Sequence, residues 1–284
     1  MIQSKITIQE QAEKIWQALT KKDQMKEWYF HIPDFELKVG TEFNFYEPGE
    51  KNEYHHRCII KEIEPNKKLS YTWTHPSHSN GESLVTWLLN EYNGSTEVIL
   101  QHNGIENFAD AGVAFSQENY QMGWDNFLAL LKIFVYGVRK HKYEINIHAH
   151  AEKVWDILWN SDSYTQWTAP FCKGAFYKGE MKQGSRIHFL SPGLDGMYSD
   201  VIFFKPPNNA LFRHIGEIEN GIELPIDEKT EKWTGAFENY ILTETNGITT
   251  LIAEVDLAPE YAENFDKNFP KGLQLIKKIS ETNS

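Results

Sequence analysis

Cysteine is nearly absent from this chain: Cys58 and Cys172 are the only two in 284 residues. They form no CxxC pair and no disulfide framework, so a reducing compartment, the cytoplasm, is the expected location. Long apolar runs are missing as well. The longest, Phe127 to Val138, contains Lys132 and is too short to span a bilayer, so no membrane insertion is expected. The N-terminus has no basic stretch followed by an apolar core, the pattern of a signal peptide. Basic charge is in deficit, with 28 Lys and Arg against 40 Asp and Glu and a formal net charge of −12. A nucleic-acid partner requires a basic face, and no basic stripe is present. One short basic run, Arg139-Lys140-His141-Lys142, reads as the solvated end of a helix, where cations offset the dipole. Catalytic signatures are equally scarce. The absence of a Walker loop, a dinucleotide fingerprint, a nucleophile elbow and HExxH removes the commonest cofactor and hydrolase classes.

Aromatic residues, by contrast, are abundant: 14% of the chain, with nine Trp and seventeen Phe. Burial of such surface is worth about 25 cal/mol per Å², enough for each half of the chain to build its own core. The halves repeat each other. Ile6-Thr7-Ile8, Ala12-Glu13-Lys14-Ile15-Trp16 and Trp28 recur, at one constant spacing, as Ile145-Asn146-Ile147, Ala151-Glu152-Lys153-Val154-Trp155 and Trp167. Two copies of one domain follow, 1–140 and 141–284.

Within the first copy, Ser4 to Ile8 reads as a strand. Ala12 to Leu19 reads as a helix with Ile15, Trp16 and Leu19 on one face. Thr20, with Asp23 three positions on, resembles a capping box for a second helix. Five strand-like segments follow, one of them carrying Phe43 and Phe45 inward, and the last two are joined at Asn93-Gly94, a hairpin dipeptide. Ser116 resembles an N-cap for a long helix with apolar residues at Trp124, Phe127, Leu128, Leu131, Phe134, Val135 and Val138. The second copy repeats this order. Its strands are expected at Arg186–Leu190, Met197–Phe204, Ala210–Ile218, Trp233–Leu242 and Thr249–Leu257, with Asn246-Gly247 as the second hairpin. Its final helix, Tyr261 to Ile279, should kink or split at Pro270.

The order strand, two short helices, sheet, long helix resembles the START-related, birch-pollen-allergen-like superfamily, also called SRPBCC. The first copy is most similar to homologues of the C-terminal domain of the heat-shock-protein-90 ATPase activator. The residues that carry the resemblance are Ala12 to Thr20, Trp28, Val39 to Phe43, Leu69 to Trp73, Gly94-Ser95-Thr96 and Gly123-Trp124. The second copy keeps Ala151 to Trp155, Trp167 and Gly184 but has Asn268-Phe269-Pro270 in place of the Gly-Trp pair. The resemblance implies an α+β fold of two tandem helix-grip domains. Each would be a curved antiparallel sheet of about six strands wrapped round a long C-terminal helix, with two short helices and a cavity between sheet and helix. Members of the superfamily bind lipids, sterols and other apolar or aromatic molecules; some are polyketide aromatases or cyclases, and a few regulate chaperones.

Large aromatic side chains with an indole or phenol donor suit an apolar cavity. The candidate lining is therefore Trp28, Phe43, Trp73, Trp87, Tyr120, Trp124 and Phe127 in the first copy and Trp167, Tyr198, Arg213 and Glu238 in the second. Any one of these Trp residues could equally be packed core. Arg213-His214 sits mid-strand, so one of the two must face inward and need a partner, for which Glu238 is a candidate. Arg213, His214 and Glu238 are thus the candidates for general acid–base chemistry. His148 and His150 share a strand face, but Gln9 and Gln11 stand at the equivalent positions and no third ligand is evident. No metal and no cofactor are expected. His55 and His56, as strand neighbours, point to opposite faces. His102 reads as structural, and both cysteines read as buried or incidental.

The function read from these residues is non-catalytic binding of an apolar or aromatic small molecule, lipid-like or polyketide-like, in the cavity. The alternatives are a cyclase- or hydrolase-type enzyme on the same cavity, or a stress-response co-regulator with a chaperone as its partner.

Overall fold

The computed structural model describes residues 1–48 and 53–282. The chain divides into two compact units, residues 1–135 and 136–284. Each is a helix-grip domain.

The first unit opens with β1 (Ile2–Ile8), α1 (Ala12–Thr20) and α2 (Lys22–Trp28). It continues with β2 (Glu42–Pro48), β3 (Glu53–Glu64), β4 (Lys68–Thr74), β5 (Glu82–Tyr92) and β6 (Ser95–Asn103), and ends on α3 (Gln117–Val135). The sheet order is β1-β6-β5-β4-β3-β2, antiparallel throughout. Period-2 patterning builds it. On β6, Thr96, Val98, Leu100 and His102 are buried, while the residues between them are half-exposed. Asn93 (φ 50°) and Gly94 (φ 79°) both take the left-handed conformation that a tight hairpin turn requires, and Asn246 (φ 54°) and Gly247 (φ 76°) do the same in the second unit. Helix α1 buries one stripe, Ala12, Ile15, Trp16, Ala18 and Leu19.

Two local expectations are corrected here. Thr20 does not cap α2; its hydroxyl donates back to the Trp16 carbonyl at 2.6 Å, closing the last turn of α1 instead. The long helix does not reach Lys140. It stops at Val135, Gly137 (φ 95°) takes up the left-handed turn that ends it, and the basic run Arg139 to Lys142 begins a strand. Ser116 does cap α3, its hydroxyl accepting the Asn119 N–H at 3.3 Å.

The second unit comprises β7 (Arg139–Ile147), α4 (Ala151–Trp159), α5 (Ser161–Trp167), β8 (Phe176–Gly179), β9 (Arg186–Leu190), β10 (Gly196–Lys205), β11 (Asn209–Glu219), β12 (Ile222–Glu223), β13 (Phe237–Thr245), β14 (Ile248–Leu257) and α6 (Pro259–Thr282). Its sheet has eight strands, not about six, in the order β7-β14-β13-β11-β10-β9-β8, with β12 paired to β11. The two unforeseen strands, β8 and β12, have only four and two residues. That is too short for alternation to show in the sequence. Trp233 lies at the end of a 3₁₀ turn rather than opening β13. Helix α6 runs unbroken through Pro270, which lies on its exposed side while Phe269, Leu273 and Ile276 anchor the opposite face.

The two units share tertiary detail as well as order. Thr96 Oγ1 donates to the Glu10 carbonyl at 2.8 Å, and Thr249 Oγ1 donates to the Ala149 carbonyl at 2.7 Å. Each bond ties the strand after the Asn-Gly hairpin to the approach of the first helix. A hairpin carboxylate then accepts the first helical N–H: Glu91 from Ala12 at 2.9 Å, Glu244 from Ala151 at 2.8 Å.

Pro270 offers no N–H to the carbonyl one turn back and costs a helix interior about 3 kcal/mol relative to alanine. Replacement of this exposed residue, Pro270→Ala, should therefore raise the urea midpoint of the full chain's second-unit transition, by up to about 3 kcal/mol in unfolding free energy. An unchanged midpoint would show that α6 already accommodates the ring without loss.

Candidate functional site

A cavity of about 340 Å³ lies in the first unit, between the sheet and the N-terminal half of α3. Four of the sequence candidates line it: Trp73 from β4 and Tyr120, Trp124 and Phe127 from α3. The helical spacing of three and four puts the last three on one side of the helix. The other three candidates do not reach this cavity. Trp28, Phe43 and Trp87 border instead a void of about 10 Å³ beneath α1 and α2. There the Trp28 indole donates to the Ala18 carbonyl at 3.0 Å and the Trp87 indole to the Tyr71 hydroxyl at 2.9 Å. Trp28 and Trp87 meet edge to face at 6.4 Å. With both N–H groups satisfied internally, these rings are packed core.

Residues outside the sequence candidates complete the wall: Phe30, Glu47, Tyr54, His56, His75 and Phe115. Strand parity is the signal for two of them. Leu69, Tyr71 and Trp73 share one parity of β4, and His75 continues it just past the strand end. Likewise His56 shares the parity of Cys58 and Ile60 on β3, all three buried.

Burial sets the chemistry of these imidazoles. His75 is 1% exposed, and its ring is edged by Phe108 at 4.8 Å and Phe115 at 4.6 Å. Desolvation, reinforced by the nearby His56, His102 and His78, pushes its pKa down to about 3. The Trp73 indole donates to His75 Nε2 at 3.1 Å, and Tyr120 makes a short hydrogen bond to the same nitrogen. Nε2 is therefore the acceptor, the proton sits on Nδ1, and that Nδ1–H is buried without a partner. His56 stacks on Phe45 at 4.6 Å and 8°. Burial lowers its pKa although Glu47 Oε2 lies 3.4 Å from its Nε2. His102 receives the Trp124 indole N–H on Nδ1 at 3.0 Å. Its Nε2–H meets Ser83 Oγ at 2.7 Å, while that hydroxyl donates to the Trp73 carbonyl. Desolvation takes its pKa to about 3 as well. The first cavity is thus lined by aromatic rings and by histidines held neutral.

The second unit holds two adjoining lobes, about 290 and 390 Å³, which share Asp195, Gly196, Met197, Glu238 and Phe265. Trp167 lines the first lobe, His214 the second, and Glu238 both. Alternation along β11 sends His214 inward and Arg213 the other way. His214 Nδ1 lies 2.8 Å from Ser199 Oγ, and its Nε2 lies 3.4 Å from Glu238 Oε2. Tyr240 donates to Glu238 Oε1 at 2.5 Å. Ser199 itself is fully buried and lines neither lobe. Arg213 and Tyr198, both sequence candidates, also line neither lobe. Arg213 pairs with Asp200 at 3.3 Å, in a chain of charges with Arg186 and Glu223. Tyr198 packs on Leu190 and Ile218 beneath the Arg186 guanidinium, and its hydroxyl is used by the Leu224 carbonyl at 3.2 Å. Glu238 therefore partners His214 and not Arg213. Among the described residues no cluster of three or more His, Cys, Asp or Glu could hold a metal ion. No helix among them is long and apolar enough to cross a membrane.

Two tandem helix-grip units with internal cavities have the START-like, SRPBCC fold. Residues 10–135, nearly all of the first unit, match the family described as activator of Hsp90 ATPase homolog 1-like protein. No curated protein matches the chain. Solved structures similar to it include protein MLL2253 from Mesorhizobium loti, at 27% identity and TM-score 0.37, over 46% of this chain and 94% of that one. The di-domain ARO/CYC StfQ from the steffimycin biosynthetic pathway aligns over 100% of this chain and 99% of its own, at 12% identity and TM-score 0.39. DynU16, a putative protein in the dynemicin biosynthetic locus, covers 99% and 98% at 12% identity and TM-score 0.41. Likenesses at these scores do not bear on what the chain does.

The buried imidazoles give a signed pH dependence. A histidine whose folded pKa lies below its unfolded value of about 6.5 favours the folded state fully above pH 6.5. That advantage is lost as pH falls toward the folded value of about 3 for His75 and His102. Each costs up to about 1.4 kcal/mol per pH unit across that window. Urea unfolding between pH 6.5 and 4 should show a steep loss of first-unit stability that becomes shallower in His75→Gln. Equal slopes for the two proteins would refute the neutral assignment.

Proposed function

We propose that this protein binds an apolar or aromatic small molecule in the first-unit cavity and performs no covalent chemistry there. The observation that carries this reading is the wall itself: Phe30, Trp73, Phe115, Tyr120, Trp124 and Phe127 surround a space of about 340 Å³. That volume falls within the range of small-molecule sites, about 300–1,000 Å³. Flat rings at this density favour an aromatic or similarly flat ligand through offset and edge-to-face contacts. A non-catalytic role follows from the histidines. A general base works best with a pKa near the operating pH. His75, at about 3, is a weak one, and the hydrogen bonds from Trp73 and Tyr120 already occupy its acceptor nitrogen.

An enzymatic reading, of the cyclase or hydrolase kind, is supported by one feature, the inward-facing His214–Glu238 pair of the second unit. The chaperone alternative draws on the description of the matched family and on exposed apolar side chains at Val113 and Met122.

Gly123 gives a direct test. It lines the first cavity on α3, and a Cβ placed there meets no atom within 4 Å. Gly123→Ala should keep binding and stabilise the helix by about 0.5–1 kcal/mol. Gly123→Phe should fill the cavity. Titration with the neutral dye N-phenyl-1-naphthylamine, with calorimetric stoichiometry, should show one site fewer for Gly123→Phe than for Gly123→Ala. Equal stoichiometry in the two variants, or no dye bound by the unmodified chain, would end this reading.

A further inference from the structure

We infer that the second unit is a separate site for a neutral aromatic molecule bearing a hydroxyl group, which it recognises through Glu238 and from which it excludes anions. This rests on reading the helix-grip cavities as ligand sites, but the selectivity comes from residues that the first unit lacks.

The two lobes meet at Glu238, which lines both. Around this centre the wall is apolar and aromatic, with Trp159 and Trp167 on one side and Trp233 and Tyr261 on the other. Besides His214, the ionisable side chains of that wall that carry a formal charge are acidic: Asp195, Glu217, Glu238 and Asp256 line the lobes, and among the described residues no Lys or Arg does. Glu217 is taken up by Lys229 at 2.7 Å, and Asp256 accepts the Phe237 N–H at 2.9 Å. The polar neighbours of Glu238 are the Tyr240 hydroxyl, which donates to Oε1, and His214 Nε2, 3.4 Å from Oε2. Its side chain is 18% exposed, so what it offers the cavity is acceptor capacity in a largely apolar setting.

A ligand carboxylate, sulfonate or phosphate entering here would meet carboxyl groups and no Lys or Arg, in a medium that amplifies repulsion. A wholly apolar ligand would bury Glu238 without replacing the water it displaces. A hydroxyl resolves both problems: its proton goes to Glu238, and its oxygen is an acceptor. Acceptors are wanted nearby. Trp159 and Trp233, each 7% exposed, both have indole N–H groups with no partner. Among the described residues, the first unit's cavity is lined by neutral His56 and His75 and one carboxylate, Glu47, and presents no such centre.

The test uses the full chain carrying Gly123→Phe, so that the second unit is read alone, with the Gly123 chain titrated in parallel. Three ligands of one shape are compared by calorimetry: 2-naphthol, 2-methoxynaphthalene and 2-naphthoate. The expected order is naphthol tightest, with the methyl ether and the carboxylate each at least about tenfold weaker. Glu238→Ala should remove the naphthol preference, and Glu238→Gln, which keeps an amide oxygen as acceptor, should retain most of it. Equal affinity for naphthol and its methyl ether, or a preference untouched by Glu238→Ala, would overturn the inference. Failure of all three ligands to bind the Gly123→Phe chain would also overturn it. Binding that persists in the Gly123 chain would then leave the first-unit reading standing.

Discussion

One long helix has to cover the inner face of a bent antiparallel sheet in each unit, and it covers only half. The C-terminal part of α3 drives Leu128, Leu131 and Val135 into the core, and α6 does the same with Leu273 and Ile276. The N-terminal parts stand off: residues 119–127 of α3 and 261–269 of α6 border open space. A rod cannot follow a curved surface along its whole length, so close packing at one end leaves a gap at the other. The cavities lie where that mismatch leaves space.

The same mismatch is filled with different chemistry in the two copies. In the first, aromatic rings and neutral imidazoles make the wall: His75 Nε2 accepts from Trp73 and is hydrogen-bonded to Tyr120, while His75 Nδ1 and both ring nitrogens of His56 are buried without hydrogen-bond partners. In the second, a carboxyl group sits at the junction of two lobes, and two indole donors remain unpaired. Duplication preserved the scaffold bonds at Thr96 and Thr249 while the linings diverged. The pattern matches a scaffold set by packing and a specificity set by a few polar groups.

The fold was largely readable because its signals are periodic and doubled. The repeated Ala-Glu-Lys-x-Trp helix, the two Asn-Gly turns and the three-and-four spacing of α3 all stand in the sequence. Boundaries were less so. Gly137 ended the helix before the basic run, a signal outweighed in the sequence by the apolar residues around it. The sites were half legible. Composition points to tryptophans, but only the fold separates Trp73 and Trp124, at the open end of the helix, from Trp28 and Trp87 under α1 and α2. Strand parity puts one residue of His55-His56 and one of Arg213-His214 inward, but which one, and the inward place of His75, came only with the strands' burial. It could not show that Glu238 would meet His214 rather than Arg213, because that depends on the pairing of β11 with β13.

The carboxylates that close the first helix of each unit carry a kinetic consequence. Glu91 and Glu244 lie 79 and 93 residues beyond the amides they accept. Neither α1 nor α4 has a side-chain cap from its own flanking residue. Each helix therefore lacks a local stop for its first turn until the distant hairpin has formed, and at nine residues each is too short to persist alone. Chain closure over that distance must come before the helix is secured, so folding in each half should be governed by topology rather than by local propensity.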